Sequence, residues 1–322
     1  MNIEMITAAA DRLKGHARRT PLLSAPQLDE IAGRRVLVKA ECLQHTGSFK
    51  FRGGWAAVSA LPPEVREKGV IAYSSGNHAQ GVAAAARAFG IPAVIVMPSD
   101  APAPKIQGTK TLGGDVILYD RATEVREDIG DRLAAERGLT LIKPYDDAQV
   151  IAGQGTVGLE IADQAAEAGV THGDVLVCCG GGGLTAGVAL ALEARAPGLR
   201  VRPAEPEGFD DTARSLASGT PQGNATQSGG LCDAILTPRP GALTFPINKR
   251  LCGPGVVVSD AEVLRAMALA FRHLKVVAEP GGAVALAGAL FHGAQLQGDA
   301  VIATISGGNT DPAVFARALE SL

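Results

Sequence analysis

Short β-branched runs alternate along the chain with longer, alanine-rich segments. The strand-like runs are Arg35–Ala40, Val70–Tyr73, Ala93–Met97, Asp115–Tyr119, Thr140–Lys143, Asp174–Cys179, Arg200–Ala204 and Ala300–Ile305. Most are continuously apolar, the pattern of strands buried on both faces. Helix-like stretches lie between them, such as Gln80–Phe89, Glu124–Arg137, Gly155–Ala168, Thr185–Ala196 and Asp260–Leu274. This alternation predicts an α/β fold of parallel sheets with helices on both faces. Ligands in such folds sit at the carboxyl ends of the strands. No repeat of fixed period and no low-complexity tract interrupts the pattern. No linker marks a domain boundary either. Residues 67–147 hold four strand–helix units and can close on themselves as a small domain. That leaves 1–66 and 148–322 as a discontinuous large domain, with a ligand expected in the cleft between the two.

Composition narrows the function classes. Of 322 residues, 46% are hydrophobic and 20% charged, which excludes a disordered chain. A net charge of −3 gives no reason to expect a nucleic-acid or anionic-membrane partner. No apolar run reaches the roughly 18–20 residues that span a bilayer. The start, Met1-Asn2-Ile3-Glu4-Met5, lacks the basic-then-apolar order of a signal peptide, so a cytoplasmic home is expected. Cys42, Cys178, Cys179, Cys232 and Cys252 show neither a Cys-x-x-Cys pair nor Cys/His metal spacing. They read as buried free thiols. Forty glycines stand against 12 aromatics, so the core is built from Ala, Val, Ile and Leu, and the glycine-dense loops let backbone approach a ligand.

Four clusters carry the chemistry. Gly180-Gly181-Gly182-Gly183 joins a strand to a helix, where backbone N–H groups and the helix N-terminus favour an anion such as a phosphate. The loop is not Gly-x-Gly-x-x-Gly and lacks the acidic partner of a dinucleotide site; a tight turn seldom needs four glycines. In Thr46-Gly47-Ser48-Phe49-Lys50-Phe51-Arg52-Gly53-Gly54, a lysine stands between two phenylalanines. Desolvation there lowers its pKa and exposes a nucleophilic amine, as a Schiff-base lysine needs; the commoner fate of a lysine is to snorkel at the surface. Ser74-Ser75-Gly76-Asn77-His78 gathers hydroxyl, amide and backbone donors at a helix start. It suits a carboxylate, and equally an N-cap. Ser306-Gly307-Gly308-Asn309 closes the last strand and reads also as a turn.

Together and in this order, the clusters resemble the fold-type II pyridoxal-phosphate enzymes, more narrowly the serine/threonine dehydratase and serine racemase family. Ile151-Ala152-Gly153-Gln154-Gly155-Thr156, Glu205-Pro206-Glu207-Gly208 and Glu279-Pro280-Gly281-Gly282 extend the resemblance over nearly the whole chain. It implies a tryptophan-synthase-β-like fold of two lobes, the smaller mobile, with pyridoxal 5′-phosphate in the interdomain cleft. It also implies a homodimer and a small amino acid as substrate. Lys50 would carry the cofactor and then act as base at the substrate α-carbon. Phe49 would pack on the cofactor ring and Asn77 would contact its hydroxyl. Gly180, Gly181, Gly182 and Gly183 would cradle the phosphate, and Ser306 would face the pyridine nitrogen. A neutral serine there makes a weaker electron sink than an Asp would, which favours rapid loss of a β-hydroxyl. Ser74, Ser75, Gly76, Asn77 and His78 would bind the substrate carboxylate. Ser75 aligns with the serine that racemases place opposite the lysine; racemisation needs a proton donor on that face.

The acidic stretch Glu205–Asp211 resembles the divalent-cation site of the racemase branch. Glu205, Asp211 and the Phe209 carbonyl would be its ligands, and hard oxygens suit Mg²⁺ or Ca²⁺; the other reading is a solvated acidic loop. Gly54-Trp55 after Lys50, and Ser228-Gly229-Gly230, depart from common family patterns. The implied reaction is dehydration and deamination of L-serine or L-threonine by an ammonia-lyase. Alternatives are a 3-hydroxyaspartate dehydratase, with His45, Arg52, Arg121 or Arg132 answering the second carboxylate, and a serine racemase with dehydratase side activity. A non-catalytic cofactor or amino-acid binder would have lost Lys50 or the glycine loop.

Overall fold

The computed structural model describes residues 1–322 except 75, 102, 121 and 227, with Pro104 known by its backbone alone. Among the described residues, the strands are β1 (Leu22–Leu23), β2 (Arg35–Ala40), β3 (Val70–Tyr73), β4 (Ala93–Pro98) and β5 (Asp115–Tyr119). They continue with β6 (Thr140–Leu141), β7 (Gly173–Cys178), β8 (Leu199–Pro206), β9 (Val256–Val258) and β10 (Ala300–Ile305). They form a six-stranded sheet in the order β1-β2-β10-β7-β8-β9 and a four-stranded sheet in the order β5-β4-β3-β6. Pairing is parallel throughout except at β1, which runs antiparallel to β2. The expected α/β architecture of parallel sheets is the one found. β2, β4, β7 and β10 are buried at nearly every position, which is why their sequences do not alternate.

The differences have local causes. β1 and β9 span only two and three residues, too short for any periodic signal. The Asp260–Leu274 stretch divides into an α-helix, Asp260–Leu269, and a π-helical turn, Ala270–Leu274. The helix Pro280–Phe291 is apolar on every side and buried from Pro280 to Leu290, so it has no amphipathic period to read. It threads the largest core, among Leu176, Val256, Met267 and Val301. The helix Lys50–Ala60 is obscured by its Gly-Gly pair. Phe51 and Trp55 from that helix share a core with Val70, Val82 and Ile95, reaching the four-stranded sheet across the helix Asn77–Phe89.

Glycines let the central helices touch backbone to backbone. A Cβ on Gly81, in the helix Asn77–Phe89, would lie 2.8 Å from the Lys50 carbonyl oxygen. A Cβ on Gly187, in Gly183–Arg195, would lie 2.6 Å from the Gly155 nitrogen in Ala148–Glu167.

Beneath the lysine helix runs a buried ionic network. Arg52, 1% exposed, donates from Nε and Nη2 to both carboxylate oxygens of Glu41 (2.8 Å each). It also donates from Nη1 and Nη2 to those of Glu160 (2.7 and 2.9 Å). Lys39 adds bonds to Glu160 (2.5 Å), Gln164 (2.8 Å) and the Thr20 carbonyl (2.7 Å). Burial alone would raise the Glu41 carboxyl, but Arg52 outweighs it and holds the group below the usual carboxylate range. Arg52 is therefore saturated, and it does not serve as the free cation that a second substrate carboxylate would need.

Candidate active site

The site lies where loops at the carboxyl ends of β3, β7 and β10 meet the start of the lysine helix. Lys50 Nζ donates to the Pro144 carbonyl at 2.7 Å and stands 5.1 Å from the centroid of the Phe49 ring. The residue keeps some surface, but its amine is enclosed by protein. Burial pushes its pKa down to about 8, with Glu279 pulling the other way. The sequence-based expectation of a desolvated amine is met, although the enclosing groups include Pro144, which leaves no signal in the sequence.

The glycine loop follows β7. The Gly181 carbonyl accepts from Thr244 Oγ1 (2.6 Å) and from the Gly241 N–H (3.2 Å), and the Gly182 carbonyl from Asn248 Nδ2 (3.4 Å). With the carbonyls taken, the N–H groups at the helix start, which have no intrahelical acceptor, are left for an anion. Side chains would fill the cradle: a Cβ on Gly181 would sit 2.2 Å from the Tyr145 ring, and one on Gly183 2.7 Å from Gln154 Oε1. Gln154 is fully buried, and both of its amide atoms lack a protein partner. A glycine-only cradle beside an unpartnered amide is what a bound phosphate would complete. The residues present fit pyridoxal phosphate.

The remaining expected residues divide. Phe49 is buried, and its N–H donates to the Ser306 carbonyl at 3.1 Å. Ser306 is also buried, its N–H on the Gly282 carbonyl at 3.2 Å. Asn77 opens the helix after β3; its Nδ2 donates to Glu279 Oε1 at 2.6 Å, and its Oδ1 accepts from Asn309 Nδ2 at 2.7 Å. Burial pushes the Glu279 carboxyl up to about 7 despite the Asn77 bond. Ser74 Oγ accepts from the Gly76 N–H at 3.2 Å. Ser75 lies outside the described residues, as does Arg121.

His78 behaves differently from a carboxylate-binding cation. It is 2% exposed, and its Nε2 lies 2.8 Å from the Ile142 carbonyl. That carbonyl can only accept, so Nε2 carries the proton. Burial, and then Lys50, push its pKa down to about 3. The imidazole is neutral, with Nδ1 buried and unpartnered.

A cavity of about 660 Å³ adjoins Pro144, walled by Tyr73, Arg126, Lys143, Tyr145, Arg239 and Phe245. Of the other cations weighed for a second carboxylate, His45 packs on Phe51, and Arg132 pairs with Glu136 at the surface.

Glu205 and Asp211 meet at the start of the helix Asp211–Ser218. Glu205 accepts from the Thr212 and Ala213 N–H groups at 3.0 and 2.7 Å. Asp211 Oδ1 accepts from Asn224, whereas its Oδ2 is buried and unpartnered. Burial raises both carboxyls, Glu205 to about 8 and Asp211 to about 6. Phe209 is buried beside them, its ring against Gly230. Among the described residues, no three His, Cys, Asp or Glu side chains converge as a metal cage; this is a pair of carboxylates. Nor is any described helix long and apolar enough to cross a membrane.

Comparison with known proteins agrees with this geometry. The chain is 41% identical over 315 residues to an L-threo-3-hydroxyaspartate ammonia-lyase of Pseudomonas sp, covering 98% of this chain and 97% of that protein. The structure of a T.th. threonine deaminase superposes with a TM-score of 0.91 at 42% identity, covering 97% of this chain and 99% of that one. Maize serine racemase gives a TM-score of 0.91 at 37% identity, covering 99% and 97%. The family model described as "Pyridoxal-phosphate dependent enzyme" matches residues 13–308. With the amine, cradle and fold all in place, the chain belongs to the pyridoxal-phosphate dependent enzymes.

Proposed function

We propose that the protein dehydrates and deaminates a 3-hydroxy amino acid, L-serine or L-threonine, to a 2-oxo acid and ammonia. The observation that carries this is the enclosed Lys50 amine, with its pKa near 8, between the glycine cradle and the neutral Ser306. When bound, pyridoxal phosphate supplies an electron sink for the substrate α-carbon. Lys50 is the group that holds the cofactor and takes the α-proton; an amine with a pKa near 8 is partly unprotonated at neutral pH and fit for both tasks. Gly180 to Gly183 hold the phosphate, Asn77 and Phe49 fix the ring, and Ser306 presents a neutral hydroxyl. The loop from Ser74 to Asn77, with Ser75, takes the substrate carboxylate through its donors. His78 supports that loop as a neutral, buried imidazole.

A 3-hydroxyaspartate substrate is the second reading. It is favoured by the ammonia-lyase relative and by Arg126, Lys143 and Arg239 around the adjoining cavity, which could meet a second carboxylate. Glu205, the Phe209 carbonyl and Asp211 are proposed to hold Mg²⁺ or Ca²⁺; the unpartnered Asp211 Oδ2 supports this. A homodimer, a cytoplasmic location, and a small domain over 67–147 that moves against the rest complete the proposal.

The test is a panel of serine and threonine enantiomers and hydroxyaspartate isomers, with keto acid, ammonia and enantiomer inversion read together. Keto-acid release from L-serine or L-threonine supports the first reading. Activity confined to a hydroxyaspartate isomer moves the assignment to the dicarboxylate, and inversion without elimination moves it to racemisation through Ser75. Lys50→Ala is expected to abolish turnover in a folded protein; near-normal turnover overturns the role given to Lys50.

A further inference from the structure

The cofactor-facing amide of Asn77 is held from both sides by residues to which the site reading gives no part. Its Nδ2 donates to Glu279 Oε1 at 2.6 Å, and its Oδ1 accepts from Asn309 Nδ2 at 2.7 Å. Asn309 Nδ2 spends its other proton on the Thr46 carbonyl at 2.8 Å. The chain of bonds therefore runs from the loop before Lys50, through the loop after β10, to the helix after β3, and ends at the helix beginning with Pro280. It joins elements flanking both sheets.

Two further observations show that the arrangement is built. Thr46 adopts φ +59, a left-handed conformation that is costly for a β-branched residue and persists only when its surroundings enforce it. The Asn309 bond falls on the carbonyl of that residue. Gly307 leaves room for Glu279: a Cβ there would lie 1.9 Å from Glu279 Oε1, and the Glu279 N–H is anchored on the Gly307 carbonyl at 3.0 Å.

The Thr46 carbonyl can only accept, so it fixes the –NH₂ end of Asn309. The second Asn309 N–H can meet only the Asn77 oxygen, which turns the Asn77 –NH₂ toward Glu279. One N–H of Asn77 remains for a ligand. We propose that Glu279 and Asn309 are positioning residues that fix the orientation of the Asn77 amide, so that it presents this N–H to the ring oxygen of the cofactor. The proposal rests on the reading of Asn77 as a cofactor contact. Glu279 and Asn309 touch neither cofactor nor substrate in this role.

The test uses the full chain, stripped of cofactor and reconstituted with pyridoxal phosphate. Dissociation constants and the visible absorption band are measured for Asn77→Ala, Asn309→Ala, Glu279→Gln and the double variant Asn77→Ala/Asn309→Ala. Asn309→Ala is expected to weaken cofactor binding roughly five- to tenfold, the scale of one lost hydrogen bond, and Glu279→Gln, which keeps an acceptor oxygen but adds a competing –NH₂ donor, by roughly two- to threefold; both shift the band as Asn77→Ala does. In the Asn77→Ala background, Asn309→Ala should add nothing. A purely structural residue would instead multiply its effect with that of Asn77→Ala, and that result overturns the clamp. Normal binding and band in both Asn309→Ala and Glu279→Gln, with Asn77→Ala impaired, overturns the clamp and leaves the site reading intact. Unchanged binding in Asn77→Ala overturns the reading of Asn77 itself and the clamp with it.

Discussion

Two pairs of acids sit in the interior, and of the four only Glu160 keeps partial exposure. Glu41 and Glu160, under the lysine helix, are answered by Arg52 and Lys39 through at least five charge-assisted bonds. Glu205 and Asp211 are answered by backbone N–H groups and one asparagine, and one oxygen is left bare. Glu41 is held below its ordinary pKa, whereas Glu205 and Asp211, buried like it, are pushed above theirs. Depth therefore does not decide the state of a buried acid; the partners do. The first cluster is finished within the chain and reads as architecture. The second has no cation bonded to it among the described residues, Arg214 acting on Asp211 without direct contact, and a divalent cation would supply one.

The largest effect is expected from breaking the finished cluster. Arg52→Met strands the fully buried Glu41 and leaves Glu160 only its Lys39 bond, and should cost about 3–5 kcal/mol in denaturant unfolding. In chelator-treated protein, Asp211→Asn should cost under about 1 kcal/mol, since the charge it removes is met only by the Asn224 bond and by Arg214 without direct contact. Equal costs would erase the distinction drawn between the clusters.

Next in size is the response to a cation. Magnesium or calcium at about a hundred times its dissociation constant should stabilise the wild type by about 2.7 kcal/mol, read as a rise in Tm. Asp211→Asn should not respond, and Glu41→Gln should respond as the wild type does. A wild-type Tm indifferent to both cations would leave the second cluster an ordinary, uncomfortable pair of acids.

The smallest effect sharpens the comparison with a third buried charge. Lys50 has neither a full set of partners nor none, and its amine sits near pKa 8. Lowering the pKa of a base favours its neutral form, so the nucleophilic amine gains as pH rises and saturates above about 8. In cofactor-free protein, labelling of Lys50 by a small amine-directed reagent should have its midpoint there. Exposed lysines keep a midpoint near 10.4, and finding Lys50 among them would remove the claim of enclosure.

What the chain reveals of itself depends on distance along it. The glycine loop and the lysine between phenylalanines are legible because the relevant neighbours are adjacent in sequence. Pairings such as Arg52 with Glu160, or Asn77 with Glu279, join residues more than a hundred positions apart, and no local pattern announces them. For that reason Arg52 reads from sequence as a free cation and His78 as a ligand for a carboxylate. The fold gives each a buried partner that settles its state. Pro144 and Tyr145, which meet the amine and the glycine loop, carry no local mark at all. The long apolar strands are plain, whereas the helix Pro280–Phe291 hides because burial on every side removes periodicity.

The backbone contacts at Gly81 and Gly187 set a limit on how this protein can be altered. A saturation scan would return both positions as intolerant of any replacement, alanine included, because the nearest obstacle is main chain that cannot swing aside. Gly81 lies against the carbonyl of Lys50, so even a folded variant would carry its error to the one amine that must not move. An engineer who redesigns the cavity walls for a new substrate has side chains to vary there, Tyr145 against the glycine loop excepted. The spacing of the helices behind them is not adjustable.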